Sequence, residues 1–515
     1  MASTFSDRFR SSSFNGFPMM QCILLLTNVL PEVLIHHMLV PLYPFMARTL
    51  ISPTSQGIVM AGDKPAYAYY AGLLQSAYFF PTIFMTIVWG TASDKVGRKP
   101  ILLLGLVGYC TGTLCLGLST QYWLAALGLS ISGAFAANTV VAKGMIGELA
   151  SDDQSRAWGY SMYGVVFGAA GIVGSLLGGL LGDKALFQGV QFLEERPYFV
   201  ACALGAVLAL IGIALDIQFL REAHDSSHSY QGLTGQDFGE ELDPLDESFI
   251  MEPVASSGSK LPHDHLVGDD EGDDDDSSSS DVVRGKFKPS VHGATAVPAF
   301  LRPMVQFFRS CWRLLSIRTI MPMLLYSIYA LSNSIYGTSL PLLASASHEA
   351  GGFGMGTGET GAAVMTTSIA KLGAKILFYP VQRRFGTVWT YRIGCLLIIP
   401  AVLLPPIFGQ ISTWPALIAA ACFIGVGEGW LYISVVMMIT DSVKVKHLGL
   451  IHGLAGCMAS VVRTIGPAVS GLVWQVGSDL HSPWLVFAMA SLSATSGFLA
   501  TFYMPSREGP SGYAI

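Results

Sequence analysis

The segment that decides the fold is GTASDKVGRKP, residues 90–100, which lies between two long apolar runs. It carries Lys95, Arg98 and Lys99 within five residues, and Gly97 between them allows a tight turn. A short basic turn that directly follows a run of membrane length is typical of a cytosolic loop between two transmembrane helices. The sequence therefore predicts that the chain crosses a bilayer on both sides of this turn.

The composition of the whole chain points to the same class of protein. Of its 515 residues, 51% are hydrophobic and 12% are charged, whereas a soluble domain usually carries about 25% charged residues. Twelve apolar runs reach the length of about 20 residues that a helix needs to cross the hydrocarbon core. The predicted spans are 19–44, 67–90, 101–119, 122–147, 158–182, 199–220, 319–345, 360–381, 391–410, 414–440, 450–475 and 483–504. Because these runs do not alternate as barrel strands do, we predict an all-α integral membrane protein with twelve transmembrane helices.

Lysine and arginine are distributed unequally between the two sets of short loops. The richer set comprises Lys95, Arg98, Lys99, Arg156, Arg383, Arg384, Lys444 and Lys446, against four basic residues in the other set. The positive-inside rule places the richer set in the cytosol. Since the number of spans is even, the tails 1–18 and 505–515 are expected there too. The sequence leaves open whether the membrane is the plasma membrane or the vacuolar membrane.

Residues 221–318 interrupt the apolar pattern and are expected to form a cytosolic loop. Between Glu222 and Asp281 there are eighteen Asp and Glu residues against one Lys. Such a segment buries too little apolar surface to offset its chain entropy, so we expect it to be largely disordered. The serines at 277–280 resemble the sites of acidic-directed kinases, which makes a kinase one candidate partner of this loop.

The loop divides the spans into two six-helix halves, 19–220 and 319–504, which share a weak internal repeat. At a shift of 292 positions, Gly133 superimposes on Gly425, Gly174 and Ser175 on Gly466 and Pro467, and Gly178 and Gly179 on Ser470 and Gly471. The basic turn has a degraded partner at residues 383–386. Parallel repeats of this kind predict two bundles with a binding site between them.

Three patches of the chain resemble one family of transporters. The turn at residues 90–100 resembles the loop between the second and third helices of the major facilitator superfamily. The stretches LPEVLIHHMLVPLYPFM (30–46) and LGLIHGLAGCMASVVRTIGPAVSGLVW (448–474) are similar to its drug:proton antiporter branch, in particular to zinc-induced facilitator-like and fungal multidrug transporters. The resemblance implies a monomeric secondary transporter that is driven by an ion gradient and is not an enzyme, with no cofactor.

The resemblance also implies roles for the residues of the basic turn. In this family the turn holds the cytosolic side in one conformation, which implies that role for Asp94 and Arg98. Glu148 and Arg156, at the next cytosolic loop, match charges that the family couples to the turn. We expect these four side chains to form one network, the alternative being separate solvated charges. The predicted conformational gate comprises Gly90, Asp94, Gly97, Arg98, Glu148 and Arg156.

Three glycines of the fifth span form a predicted helix-packing motif. Gly174, Gly178 and Gly182 lie four residues apart, so they share one face of the helix and let a neighbouring backbone approach closely. The stretch also resembles the Gly-Pro motif of proton-driven antiporters, although Ser175 stands in place of the proline. The proline version appears in the eleventh span, at Gly466 and Pro467.

Polar and ionisable side chains inside the spans are the candidates for substrate and proton binding, because a charge at the bilayer centre costs at least about 2.5 to 3.5 kcal/mol. Glu32 and His36 lie four residues apart on one helix face, as a proton-carrying pair would. Glu428 lies midway along the tenth span, and Arg463 is expected to pair with it, either for transport or as a structural ion pair. Asn138 is expected to contact substrate or a neighbouring helix. The candidate set is Glu32, His36, Asn138, Lys371, Glu428 and Arg463.

We interpret the chain as a proton-coupled exporter of a small organic molecule, such as a drug, a secondary metabolite or a metal chelator. It would work by alternating access within the lipid bilayer, without a bound metal and without nucleic acid. Two alternatives stay open: a proton symporter or importer of a small solute, and a transporter-like receptor or sensor that signals through the acidic loop. Deletion of residues 222–281 separates the last of these, because a transporter keeps its flux whereas a sensor loses its output.

Overall fold

The computed structural model describes the membrane part of the chain. The described residues are 19–51, 59–60, 64–65, 67–149, 153–220, 315–411, 414–443, 448–480 and 482–504. The predicted tails at 1–18 and 505–515 and nearly all of the predicted acidic loop at 221–318 lie outside these residues. Their expected properties therefore stay predictions.

The first half contains the first six predicted spans. Its helices are α1 (Met19–Leu39), α2 (Tyr43–Leu50), α3 (Tyr67–Val96), α4 (Arg98–Leu118), α5 (Tyr122–Ala134), α6 (Asn138–Leu149), α7 (Asp153–Leu181), the short α8 (Gln191–Glu195) and α9 (Phe199–Phe219). A 3₁₀ turn over Val40–Leu42 joins α1 to α2, so that the two cross as one rod. A two-residue antiparallel pair, β1 (Val59–Met60) with β2 (Lys64–Pro65), lies in the loop before α3.

The second half repeats this order of long helices. Its helices are α10 (Ile317–Ser345), α11 (Thr357–Phe385), α12 (Thr387–Ala401), α13 (Leu404–Ile411), α14 (Trp414–Thr440), α15 (Leu448–Asp479) and α16 (Trp484–Ala500). The ninth predicted span is thus divided between α12 and α13, and it contains Pro400 near the break. Proline lacks the N–H that a continuous helix would use there.

Eleven of the described spans are both long and apolar enough to cross a membrane. The twelfth, α10, has 29 residues, or about 43 Å at 1.5 Å per residue, but it is less apolar because serines, tyrosines and Asn333 interrupt it. Most of these polar groups are buried inside the protein instead of facing lipid. The predicted all-α membrane fold is confirmed, and the polar side chains of α10 pack mostly inside the bundle.

The fourth span is broken in the structure, whereas the sequence predicts one continuous helix. The break falls at Phe135–Ala137, between α5 and α6, and it leaves helix carbonyls without their usual partners. Helix α3 supplies donors to them: the Trp89 indole donates to the Ala134 carbonyl at 2.6 Å, and the Thr82 hydroxyl donates to the Gly133 carbonyl at 3.1 Å. In lipid such replacement bonds are required, because no water can satisfy the backbone there.

The same glycine turn recurs at equivalent places in the two halves. Gly97 separates α3 from α4 with φ of 109°, and Gly386 separates α11 from α12 with φ of 82°. Both values lie in the region that favours glycine. We use these two turns to define the basic side of the bundle; the opposite side is the end at which α2 and α7 finish and α3 and α11 begin.

Candidate substrate and proton site

The two halves meet through two pairs of helices, α3 against α15 and α7 against α11. On the opposite side these helices touch through glycines. A Cβ atom on Gly72 would lie 2.1 Å from the Pro467 carbonyl oxygen, and one on Gly471 would lie 2.2 Å from the Ala68 carbonyl oxygen. Both distances are too short for any side chain, so glycine at these positions permits backbone-to-backbone packing between the halves.

The α7–α11 contact is built in the same way. A Cβ on Gly361 would lie 2.6 Å from the Ser175 carbonyl oxygen, and one on Gly179 would lie 2.7 Å from the Thr357 carbonyl oxygen. We call the contacts made by these four glycines, namely Gly72, Gly179, Gly361 and Gly471, the interhalf seal. The seal closes the opposite side of the junction between the halves.

Side-chain hydrogen bonds reinforce this closure. The Thr338 hydroxyl donates to the Gln75 amide oxygen at 2.7 Å, and the Ser76 hydroxyl donates to the Thr464 carbonyl at 2.6 Å. At the mouth on the opposite side, the Arg48 guanidinium donates to the Ser345 carbonyl at 3.0 Å. Each bond joins one half to the other. We therefore expect all three bonds to break when the opposite side opens.

Glu428, from the middle of α14, holds an ion pair at the junction. Its carboxylate lies 2.5 Å from the Lys371 ammonium of α11, and it accepts a hydrogen bond of 2.8 Å from the Asn333 amide of α10. Only 3% of Glu428 is exposed, whereas 33% of the Lys371 side chain is, so the carboxylate is buried and the lysine is partly accessible to water. Gly425 and Gly429 let α14 approach the backbone of α11 closely enough for this contact.

The partner of Glu428 differs from the expected one. The sequence suggests Arg463, but in the structure Lys371 fills that place. Lys371 belongs to the predicted candidate set for substrate and proton binding, but it is not the partner that the sequence suggests for this carboxylate. Asn333 was missed, despite being an amide in the middle of an apolar run, which is the signal that could have identified it.

Glu32 is the corresponding carboxylate of the first half. It lies in the middle of α1, is 5% exposed, and accepts a hydrogen bond of 3.1 Å from the Thr139 hydroxyl of α6. The predicted partner, His36, packs its ring against Tyr78 and Phe79. In the described structure the Glu32 carboxylate is therefore held by a hydroxyl of the broken fourth span, and the expected carboxylate–imidazole pair is not formed.

Arg463, from the middle of α15, lies among tyrosines. Its guanidinium is 6.0 Å from the centre of the Tyr326 ring and 3.5 Å from the Tyr326 hydroxyl. Tyr326, Tyr329 and Tyr432 pack against one another with ring centres 6.0 to 6.4 Å apart. Arg463 also lies within electrostatic reach of His36 of the first half. The guanidinium thus belongs to the junction of the halves and not to one bundle.

Two further lysines lie toward the basic side of this junction. The Lys143 ammonium lies 5.2 Å from the centre of the Tyr163 ring, and Lys375 lies 5.8 Å from the Tyr432 ring. Lys143 is exposed, and Gly456 of α15 has open space where its Cβ would be. The junction is therefore open toward the basic side. Among the residues that the structure describes, no group of three or more His, Cys, Asp or Glu side chains could hold a metal ion.

The predicted gate is visible in part. Arg98 donates to the Ser93 hydroxyl at 2.6 Å, and its guanidinium packs against Gly144 of α6. Gly90 faces open space. The side chains of Asp94, Glu148 and Arg156 lie outside the described part of the chain, so the proposed network of these residues with Arg98 stays a prediction.

The predicted packing glycines of α7 lie against α1 and its continuation. Cβ atoms on Gly174, Gly178 and Gly182 would meet Leu34, Met38 and Leu42, respectively, at 2.1 to 2.7 Å. In the eleventh span, a Cβ on Gly466 would lie 2.9 Å from Ser334 of α10, and Pro467 turns its carbonyl to Gly72 as described above. These positions are packing contacts, within each half and across the seal.

Two of the fully buried polar side chains of the first half are Asn138 and Asp216. Asn138 is fully buried and its amide has no hydrogen-bond partner among the described residues. Asp216 of α9 is also fully buried and accepts a hydrogen bond of 3.0 Å from the Asn28 amide. Sequence reasoning missed Asp216, although it lies inside a predicted span. It faces its own bundle and not the junction.

A family model for the Major Facilitator Superfamily matches residues 32–245 and 323–514. The chain belongs to the major facilitator superfamily. It is 23% identical over 487 residues to the Major facilitator superfamily multidrug transporter mfsB of Aspergillus fumigatus, covering 87% of this chain and 78% of that protein. It is 21% identical over 465 residues to Protein ZINC INDUCED FACILITATOR-LIKE 1 of Arabidopsis thaliana, covering 86% and 84%.

Among solved structures, the human organic anion transporter MFSD10 has the same fold, with a TM-score of 0.56 and 16% identity over 93% of this chain and 98% of that one. The relatives place this transporter among the drug:proton antiporter-like members of the superfamily, as the first-span and eleventh-span patches suggest. Membership identifies it as a multi-pass membrane transporter of small molecules and not an enzyme.

Proposed function

We propose that this protein is a proton-coupled exporter of a small organic molecule that works by alternating access. The observation that carries the proposal is the pair of buried carboxylates, Glu32 and Glu428, one from each half and each near the middle of its helix. Buried carboxylates at the midplane of a transporter are candidates for proton carriers. The interhalf seal supplies a closed state on one side, which alternating access requires.

A proton on Glu428 would act through the ion pair with Lys371. The carboxylate and the ammonium attract each other because they are in direct contact and the carboxylate is buried. Protonation removes the negative charge, so that Lys371 is released and α11 is no longer tied to α14 by this pair. Since α11 also forms half of the seal through Gly361, the proton and the seal act on the same helix.

Export is the direction that the similarity to a multidrug transporter supports. In this reading the basic side faces the cytosol, in agreement with the positive-inside rule, and the described state is open to the cytosol. A second candidate is proton symport, which the Lys371–Glu428 pair itself favours. If a proton on Glu428 frees Lys371 for an anionic solute, the proton and the solute bind together and move in the same direction.

Flux in proteoliposomes separates these directions. The purified protein is reconstituted, a pH gradient of either sign is imposed, and the movement of radiolabelled or fluorescent organic compounds is followed. An exporter of the proposed kind accumulates substrate in the acidic compartment, whereas a proton symporter moves it out of that compartment. Proton coupling would be refuted if the flux depended on neither the size nor the sign of the pH gradient under otherwise equal conditions.

A further inference from the structure

The charges at the junction of the two halves do not balance. Among the described residues, the cationic side chains there are Lys371, Lys375 and Arg463, and the carboxylates are Glu32 and Glu428. One lysine and one carboxylate neutralise each other in the Lys371–Glu428 pair. The remaining groups leave a surplus of positive charge in a region that is partly withdrawn from water.

Two of these cations have no carboxylate within ion-pair distance among the described residues. Arg463 contacts the Tyr326 ring and hydroxyl, and Lys375 faces the Tyr432 ring. A cation inside a membrane bundle is costly unless water, a carboxylate or a ligand compensates it. The carboxylates that could compensate them internally are committed elsewhere, Glu428 to Lys371 and Glu32 to Thr139.

Arg392 of α12 shows how an arginine is accommodated when its role is structural. Its Nε donates to the Thr501 hydroxyl at 2.9 Å and its Nη2 donates to the Thr501 carbonyl at 3.3 Å. Its guanidinium also lies 4.9 Å from the Trp389 ring and 4.4 Å from the Phe502 ring. In the described part of the chain Arg463 makes one long hydrogen bond in comparison, which leaves most of its donors for a ligand.

The surroundings of Arg463 indicate what kind of ligand fits. A guanidinium binds carboxylate, sulfonate or phosphate groups through two parallel hydrogen bonds, which a lysine cannot do. Tyr326, Tyr329 and Tyr432 form an aromatic cluster beside it, and aromatic side chains suit the flat apolar body of an aromatic compound. Charge and shape together describe an aromatic acid.

We propose that the substrate of this transporter is an aromatic organic anion, whose acidic group pairs with Arg463 while its ring packs on Tyr326 and Tyr432. The assignment of a substrate rests on the proposed transport function. The binding of an anion at the junction does not, because it is argued from the surplus of charge and from the hydrogen-bond donors of Arg463. Lys375 of α11 supplies further positive charge at the junction.

Three naphthalene compounds of equal size test the charge preference directly: 2-naphthoate, 2-naphthamide and 2-naphthylmethylammonium. Their dissociation constants are measured on the purified full-length protein in lipid nanodiscs. We expect naphthoate to bind the most tightly, and Arg463→Gln to weaken it about 10-fold or more, since contacts to charged groups are worth about 1.5 to 3 kcal/mol. Arg392→Gln is the matched control and should leave the affinity unchanged. Binding of the ammonium compound as tightly as naphthoate would overturn the proposal.

A second measurement reads the electrostatic potential without any substrate. Gly456 lies seven residues before Arg463, on the same face of α15, and has open space for a cysteine side chain. In Gly456→Cys, the rates of labelling by a sulfonate-bearing and an ammonium-bearing methanethiosulfonate are compared by peptide mass spectrometry and normalised to free cysteine. The normalised ratio of the sulfonate rate to the ammonium rate should exceed one. It should fall severalfold in Gly456→Cys combined with Arg463→Gln. A parent ratio of one or less would contradict the surplus of positive charge.

These measurements also distinguish failure of the anion site from failure of the transport function. If naphthoate binds and the labelling ratio exceeds one, but no compound moves with a pH gradient, the anion site stands and proton-coupled transport fails. If cationic or neutral compounds are transported with the gradient and the ratio is one or less, transport stands and the anion site fails.

Discussion

Replacing Gly361 by valine is expected to reduce turnover about 10- to 100-fold. A Cβ at this position would lie 2.6 Å from the Ser175 carbonyl oxygen and 2.8 Å from the Gly179 Cα, and both obstacles are backbone atoms of the other half. Overpacking of this kind costs about 1 to 3 kcal/mol, and here it is imposed only on the state in which the seal is closed. The protein would therefore populate the state that is open on the opposite side, and the transport cycle would stall.

The control for this variant comes from the same helix. Gly373 of α11 has no atom within 4 Å of an ideal Cβ, so Gly373→Val tests the loss of a glycine without a clash at the seal. Both variants are compared by initial flux and by melting temperature. Parental flux in a well-folded Gly361→Val protein would show that the seal need not close during transport.

The second large effect is expected for Glu428→Gln, which should abolish accumulation driven by a pH gradient. Glutamine keeps the shape and can still accept from Asn333, but it can neither carry the proton nor pair with Lys371 as an anion. The ability of a pH gradient to concentrate substrate, worth about tenfold per pH unit for one coupled proton, should be lost. Glu32→Gln tests the carboxylate of the first half in the same way.

The measurement is the ratio of internal to external substrate at a series of imposed pH gradients. Glu195→Gln serves as control, because Glu195 is exposed at the end of α8 and pairs with the neighbouring Arg196. Exchange of substrate across the membrane without a gradient should persist in at least one of the two carboxylate variants. If both variants retain the parental response to pH, neither carboxylate carries the coupled proton.

Much of the architecture could be predicted from the sequence because it depends on local properties. The length of an apolar run fixes whether a helix can span the bilayer, and a glycine that closely follows basic residues marks the turns at Gly97 and Gly386. The break at Phe135–Ala137 could not be predicted, because it depends on donors from Trp89 and Thr82 of another helix. An apolar run by itself does not reveal that such donors exist.

The arrangement of the site was harder to predict than its members. Glu428, Lys371 and Arg463 could each be identified as ionisable groups inside a span, but their pairing depends on how the helices are rotated about their axes. The close approach of α14 to α11 at Gly425 and Gly429 turns Glu428 toward Lys371 and leaves Arg463 among tyrosines. A single sequence does not specify that rotation, because a glycine allows close packing but does not determine which helix packs against it.

The most direct test of alternating access is a pair of distances measured by pulsed electron paramagnetic resonance. Spin labels at the exposed positions 188 and 347 report on the opposite side, and labels at the exposed positions 95 and 384 report on the basic side. Under an imposed change of pH or on addition of substrate, we predict that the first distance lengthens while the second shortens. Distances that stay fixed, or that change in the same direction at both ends, would contradict a mechanism in which the two halves open alternately around the carboxylates.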